Sequence, residues 1–64
     1  MKNSEIRKLT TEQINKKIDE TKEELFNLRM KQATGTLENP SRIKDLRKLV
    51  ARLKTILKER EIQG

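Results

Sequence analysis

Two apolar seams, each stepping by three and four residues, are separated by one break, and that arrangement commits the chain to a pair of antiparallel helices. The first seam runs Ile14, Ile18, Leu25 and Leu28, with Thr21 and Gln32 filling two further seam positions. The second runs Ile43, Leu46, Val50, Leu53 and Leu57. Such spacing collects apolar groups on one side of a helix in a heptad-like stripe. In the break, Gly35 suits the left-handed residue that follows a helix end. Asn39 is a good N-cap, and Pro40 fits the first helical position, where its missing N–H breaks no bond. The connection from Thr34 to Glu38 is only about five residues, which makes the helices antiparallel neighbours.

The first helix has a marked start at Leu9-Thr10-Thr11-Glu12-Gln13-Ile14. Thr10 and Gln13 have the spacing of a capping box, and Leu9 is placed to touch Ile14 as a hydrophobic staple. Ahead of it, Asn3 or Ser4 is expected to cap a single turn through Arg7, so that Ile6 and Leu9 cover the open end. The expected organisation is one domain over residues 1–64: an N-terminal segment 1–9, a first helix 10–34, a loop 35–39 and a second helix 40–62. Each long helix would extend roughly 33 Å at 1.5 Å per residue. The fold class is all-α, an antiparallel two-helix hairpin with a short N-terminal helical turn, monomeric when free. With one interface and polar Thr21 and Gln32 in its seam, it is expected to be marginally stable.

Hydrophobic residues make up 31% of the chain and charged residues 41%, so the core is small and the surface ionic. Cysteine, histidine, tryptophan and tyrosine are all missing. Disulfides and thiolate metal sites are therefore excluded, a metal would have to be held by carboxylates alone, and there is no side chain that shuttles protons at neutral pH. No catalytic, cofactor or metal site is expected. No apolar run approaches the roughly 20 residues of a membrane span, and Met1-Lys2-Asn3-Ser4-Glu5 lacks a secretory apolar stretch. A cytoplasmic protein with no membrane partner is the expectation.

Charge is distributed unevenly. Between Ser41 and Lys58 stand Arg42, Lys44, Arg47, Lys48, Arg52, Lys54 and Lys58 against the single acid Asp45, a local balance equal to the +6 of the whole chain. With Leu46 as zero and about 100° per residue, Lys44, Arg47, Lys54 and Lys58 fall between about 80° and 160°, with Ala51 among them at about 140°. Arg52 and Lys48 lie round the back. A small residue amid cations lets a sugar-phosphate strand approach the helix while lysine and arginine reach phosphates on either side. The plainer reading is a solvated face with an alanine chosen for helix propensity.

The first helix carries charges of alternating sign, and Glu12–Lys16 and Lys16–Glu20 have the spacing of intrahelical pairs. Glu23 and Glu24 diverge by about 100° and form no catalytic or metal pair. Phe26, Met30 and Ala33 lie off the seam, at about 100°, 140° and 80° from Leu25. The only aromatic residue of the chain thus stands on a lateral apolar strip. It is either a docking surface for a neighbouring protein or a base, or a side chain folded back over the hairpin or under the N-terminal segment.

Three stretches carry a family likeness. They are Glu23-Glu24-Leu25-Phe26-Asn27-Leu28-Arg29, then Gln32-Ala33-Thr34-Gly35 with Leu37-Glu38-Asn39-Pro40-Ser41-Arg42-Ile43, and Val50-Ala51-Arg52-Leu53-Lys54-Thr55-Ile56-Leu57 followed by Glu59-Arg60. Together with Met1-Lys2, Glu5-Ile6-Arg7 and Leu9-Thr10, they closely resemble the bacterial large-subunit ribosomal protein L-twenty-nine family over essentially the entire chain. Thr36 departs from the glutamine common at its position. The resemblance implies a two-helix hairpin bound to large-subunit (23S) rRNA near the exit of the nascent-chain tunnel. It further implies ribosomal protein L-twenty-three as neighbour, with trigger factor and the signal recognition particle docking nearby. The best-marked segment of the family falls on residues 39–55 and includes Arg42, Lys44, Arg47, Lys48, Ala51, Arg52, Lys54 and Thr55, to which the helix geometry adds Lys58. Gln32 and Thr34 are further RNA-contact candidates at the joint, and Phe26 and Met30 are candidates for protein docking. For Gly35 and Asn39, turning and capping the chain is the better explanation.

Two other function classes compete. A dimeric coiled coil gripping duplex DNA would need a longer unbroken heptad than Thr34-Gly35 and Asn39-Pro40 allow. A membrane-surface helix would need bulky aromatics beside its cations, and the second helix has none.

Overall fold

Helices α1 (Asn3–Arg7), α2 (Thr11–Ala33) and α3 (Ser41–Gln63) follow one another in a computed structural model that describes residues 2–63. Expectations that touch residues 1 and 64, the start of the family likeness and the end of the single domain, lie outside the described residues. Helices α2 and α3 pack antiparallel along their length, and α1 lies against α3. The result is a rod of 44 × 17 × 16 Å, an all-α hairpin with a short N-terminal helix.

Local chemistry sets the ends of α2. The Thr10 hydroxyl accepts from the Gln13 N–H at 3.1 Å, and the Gln13 side-chain oxygen accepts from the Thr10 N–H at 2.8 Å, which completes the capping box. At the other end Gly35 takes φ 75°, the Thr36 N–H reaches the Lys31 carbonyl at 2.9 Å, and the Gly35 N–H reaches that of Gln32 at 3.2 Å. This is a Schellman motif, and it satisfies carbonyls that the helix end would otherwise leave bare.

The entry to α3 differs in register from the expectation. The helix begins at Ser41, the Asn39 carbonyl accepts from Arg42, and the Pro40 carbonyl accepts from Ile43. Those bonds join residues three apart, so the first turn is tightened. The Asn39 side chain takes the Ser41 hydroxyl proton instead of a backbone N–H. A second correction concerns α1. Neither Asn3 nor Ser4 caps it; both are inside the helix, and the N-cap is Lys2, which makes no side-chain cap bond. The Glu5 and Ile6 N–H groups both turn back to the Lys2 carbonyl, so the turn closes one residue earlier.

Packing, not capping, holds α1. Ile6 is fully buried and joins Ile14, Ile18, Leu53 and Ile56 in the core, with Leu9, Leu49 and Leu57 partly buried against them. This third element widens the apolar stripe of α3. Ile56 and Leu49 lie about 60–80° from Leu46 on the side away from Lys44 and Arg47. The second seam was expected to close on Leu57, yet Ile56 is the buried residue and Leu57 only partly so. Arg60 locks the corner: its guanidinium donates to the carbonyls of Leu9 at 2.7 Å and Arg7 at 3.1 Å and to the Thr11 hydroxyl at 3.2 Å.

The polar seam residues resolve in different ways. Thr21 is 3% exposed, and its hydroxyl donates to the Lys17 carbonyl one turn back at 2.7 Å, so its burial leaves no hydrogen-bonding group unmet. Gln32 is exposed beside the loop, at the closed end of the hairpin. The expected Glu12–Lys16 and Lys16–Glu20 pairs do not form among the described residues; ion pairs link instead Arg7 to Glu59, Arg42 to Glu24 and Lys58 to Glu61. Exposed pairs yield so little that side-chain freedom readily outweighs them.

Candidate nucleic-acid interface

The interior of α3 faces two partners, and one of the flanks that remain is cationic. Leu46 and Leu53 are buried on the seam while Ile56 shares its core with Ile6 of α1 and Leu49 packs partly buried against that core, so the residues about 80–160° round from Leu46 are left in solvent. Lys44, Arg47, Ala51, Lys54 and Lys58 occupy that sector, and all are exposed. Near the loop the flank becomes an open groove of about 600 Å³ lined by Gln32, Pro40, Ile43, Lys44, Arg47, Lys48 and Ala51. Ala51, Pro40 and Ile43 supply its small and apolar surfaces, and three cations surround them with no acid in the lining. Among the described residues, Lys44, Arg47, Lys48 and Lys54 make no ion pair, so their charge is available to an outside partner.

Five of the residues singled out from the sequence thus meet in one groove: Gln32, Lys44, Arg47, Lys48 and Ala51. Lys54 and Lys58 continue the same sector along α3, with Lys58 4.0 Å from Glu61. Four others stand apart. Arg42 leans across to Glu24 at 3.1 Å, on the side of the hairpin away from the groove. Arg52 lies round the helix from this flank, and the Thr55 hydroxyl donates to the Ala51 carbonyl at 2.8 Å within α3. Thr34 sits in the turn with its hydroxyl on the Lys31 carbonyl at 3.0 Å.

The lateral strip on α2 is open. Phe26 is 63% and Met30 54% exposed, which overturns the alternative in which Phe26 folds back over the hairpin. A second groove, of about 410 Å³, runs beside it and is lined by Lys22, Leu25, Phe26, Arg29, Arg47 and Val50. Lys22 and Arg29 escaped the sequence reading, although their distance from Phe26, four residues before and three after, puts all three on one helix face. Arg47 borders both grooves, so the strip of α2 and the flank of α3 belong to the same broad face.

Among the described residues no cluster of acidic, histidine or cysteine side chains could hold a metal ion, and no helix is long and apolar enough to cross a membrane. Fold and surface together define a class: a small helical hairpin that carries an exposed, charged face. Sequence comparison narrows the class. The family described as Ribosomal L29 protein matches residues 4–60. Proteins called large ribosomal subunit protein uL29 are similar over nearly the whole length. The one from an Exiguobacterium species is 60% identical over 62 residues, covering 97% of this chain and 92% of its own. Those from Bacillus cytotoxicus and Bacillus anthracis are each 58% identical over 62 residues, covering 97% of this chain and 94% of theirs. The chain belongs to the ribosomal L29 protein family. It is accordingly a ribosomal protein and not an enzyme.

Proposed function

We propose that this chain is a structural constituent of the large ribosomal subunit in the cytoplasm, binding large-subunit rRNA through the cationic flank of α3 and so supporting translation. The observation that carries the RNA contact is the row of exposed cations Lys44, Arg47 and Lys54 round Ala51, with no acid in the groove that Lys44 and Arg47 border. Helix α3 is braced from two sides, so the cations are held on a rigid element in fixed register, and binding need not first order a chain. Phosphates would sit in the groove and along the flank, each neutralised by a lysine or arginine, which allows RNA segments that repel one another to lie close together. The finer position proposed, which the family likeness supports, is beside the nascent-chain exit, next to protein L-twenty-three and close to where trigger factor and the signal recognition particle would dock.

Co-sedimentation of the full chain with large subunits that lack it, measured over a salt series, tests the reading. Each phosphate contact contributes roughly 0.7–0.9 to the log–log salt slope, so Arg47→Ala with Lys54→Ala should lower the slope by about one to two. An unchanged slope would place the RNA on another face.

A further inference from the structure

We infer that Phe26 is a stacking platform for an unpaired RNA base, whose flanking phosphates are held by Lys22, Arg29 and Arg47. The inference rests on the RNA-binding reading and adds a second kind of contact to it. Phe26 is the only aromatic residue in the chain, and it stands 63% exposed beside a groove floored by Leu25 and Val50. Every charged residue lining that groove is a cation. A protein partner that covered so apolar a strip would have to bring acidic groups to match three cations, whereas a nucleotide carries both halves of the match, a flat apolar base and an anionic phosphate. Single-stranded nucleic acid is generally held in this way, with rings stacked on aromatic faces and the backbone tracked by positive charge. The opening, about 410 Å³, is roomy enough for one base.

Continuity with the flank of α3 strengthens the case. Arg47 borders both grooves, so a strand lying on Lys44, Arg47 and Lys54 passes the mouth of the Phe26 groove. A base turned out from that strand would enter the groove while its phosphate stayed on Arg47. Helix α1 packs on the opposite side and leaves the way clear, since Arg7 pairs with Glu59 there. Phosphate contacts alone give no preference for nucleobases, and stacking supplies one.

The chain has no tryptophan or tyrosine, so Phe26→Trp creates a single fluorescent reporter at the site itself. The full-length protein is titrated at low salt with oligo(A) of eight nucleotides and with an abasic oligomer of the same length and charge. Stacking predicts that oligo(A) quenches the Trp variant strongly and the abasic oligomer does not. It also predicts that Phe26→Ala and Phe26→Leu each weaken oligo(A) binding about five- to tenfold, while abasic binding and the salt slope stay as in the wild type. Phe26→Leu keeps apolar surface without a ring, so a loss in that variant reports the ring itself, and circular dichroism checks that the exposed substitution leaves the helices intact. Equal binding of oligo(A) and the abasic oligomer by wild type and both variants overturns the stacking and leaves the phosphate reading standing. No salt-dependent binding of either oligomer overturns both.

Discussion

Replacing Ile6 by alanine tests whether the N-terminal helix is part of the fold or an ornament on it. Ile6 is the only buried residue of α1 and is completely covered by the core it shares with Ile14, Leu53 and Ile56. Cutting a buried isoleucine back to alanine typically costs about 2–5 kcal/mol in lost transfer free energy and cavity. Here the loss has a ceiling. Five residues of α1 can swing away instead of leaving a hole, so the penalty cannot exceed what docking α1 contributes. We expect about 2 kcal/mol, which in a domain this size lowers the midpoint of thermal unfolding by roughly 8–16 °C. Arg60→Ala removes the polar half of the same lock, and because the freed carbonyls of Arg7 and Leu9 rehydrate, about 1 kcal/mol is expected. Both changes act on one docking event, so the double variant should lose less than the sum, by about 0.5 kcal/mol or more. Far-UV circular dichroism at 222 nm over temperature and urea series measures all four proteins. An Ile6→Ala midpoint within experimental error of the wild type would show α1 undocked in solution, and strict additivity would show that Ile6 and Arg60 do not share a lock.

Two smaller perturbations follow from single residues. Gly35→Ala should destabilise by about 1 kcal/mol, seen as a lower melting midpoint; an added Cβ meets nothing within 4 Å, so the whole effect is the strain of φ 75° for a residue with a side chain. Thr21→Val should be neutral or mildly stabilising, within about 1 kcal/mol in the same melt, because the hydroxyl bonds only its own helix and the Lys17 carbonyl keeps its backbone partner.

Legibility in the sequence followed the range of the forces involved. The capping box at Thr10 and Gln13 and the left-handed Gly35 were readable because they depend on residues within a few positions of one another. The placement of Ile56 and Arg60 was not, since both answer to α1, some 50 residues away in the chain. A periodicity argument sees the stripe that faces the helix partner but not a second partner that broadens it. At the start of α3 the helix begins one residue after the expected Pro40, and the Asn39 side chain bonds the Ser41 hydroxyl, a local contact that propensities do not register. For the candidate interface, the sector of Lys44, Arg47, Ala51 and Lys54 could be drawn from angles alone. Arg42, about 40° from Leu46 on the other side, was a candidate through the family likeness and not through the angles, and it pairs with Glu24 away from the groove.

What the angles did hold, and only the hairpin brought out, is the relation between the two helices. In an antiparallel pair, positive rotation from the seam leads to the same side on both members, because reversing the chain direction and turning the helix to face its partner cancel. Phe26, Met30 and Ala33 sit about 80–140° on the positive side of Leu25, and Lys44, Arg47 and Lys54 about 80–160° on the positive side of Leu46. They must therefore share a face, and Arg47 lining both grooves is that geometry made visible. Helix α1 takes the negative side, through Ile56 and Glu59 on α3. The short N-terminal helix thus does more than close an end. By widening the core on one side only, it buries an edge of α3 that would otherwise compete as a second apolar surface, and leaves the molecule a single face that combines an aromatic ring with positive charge.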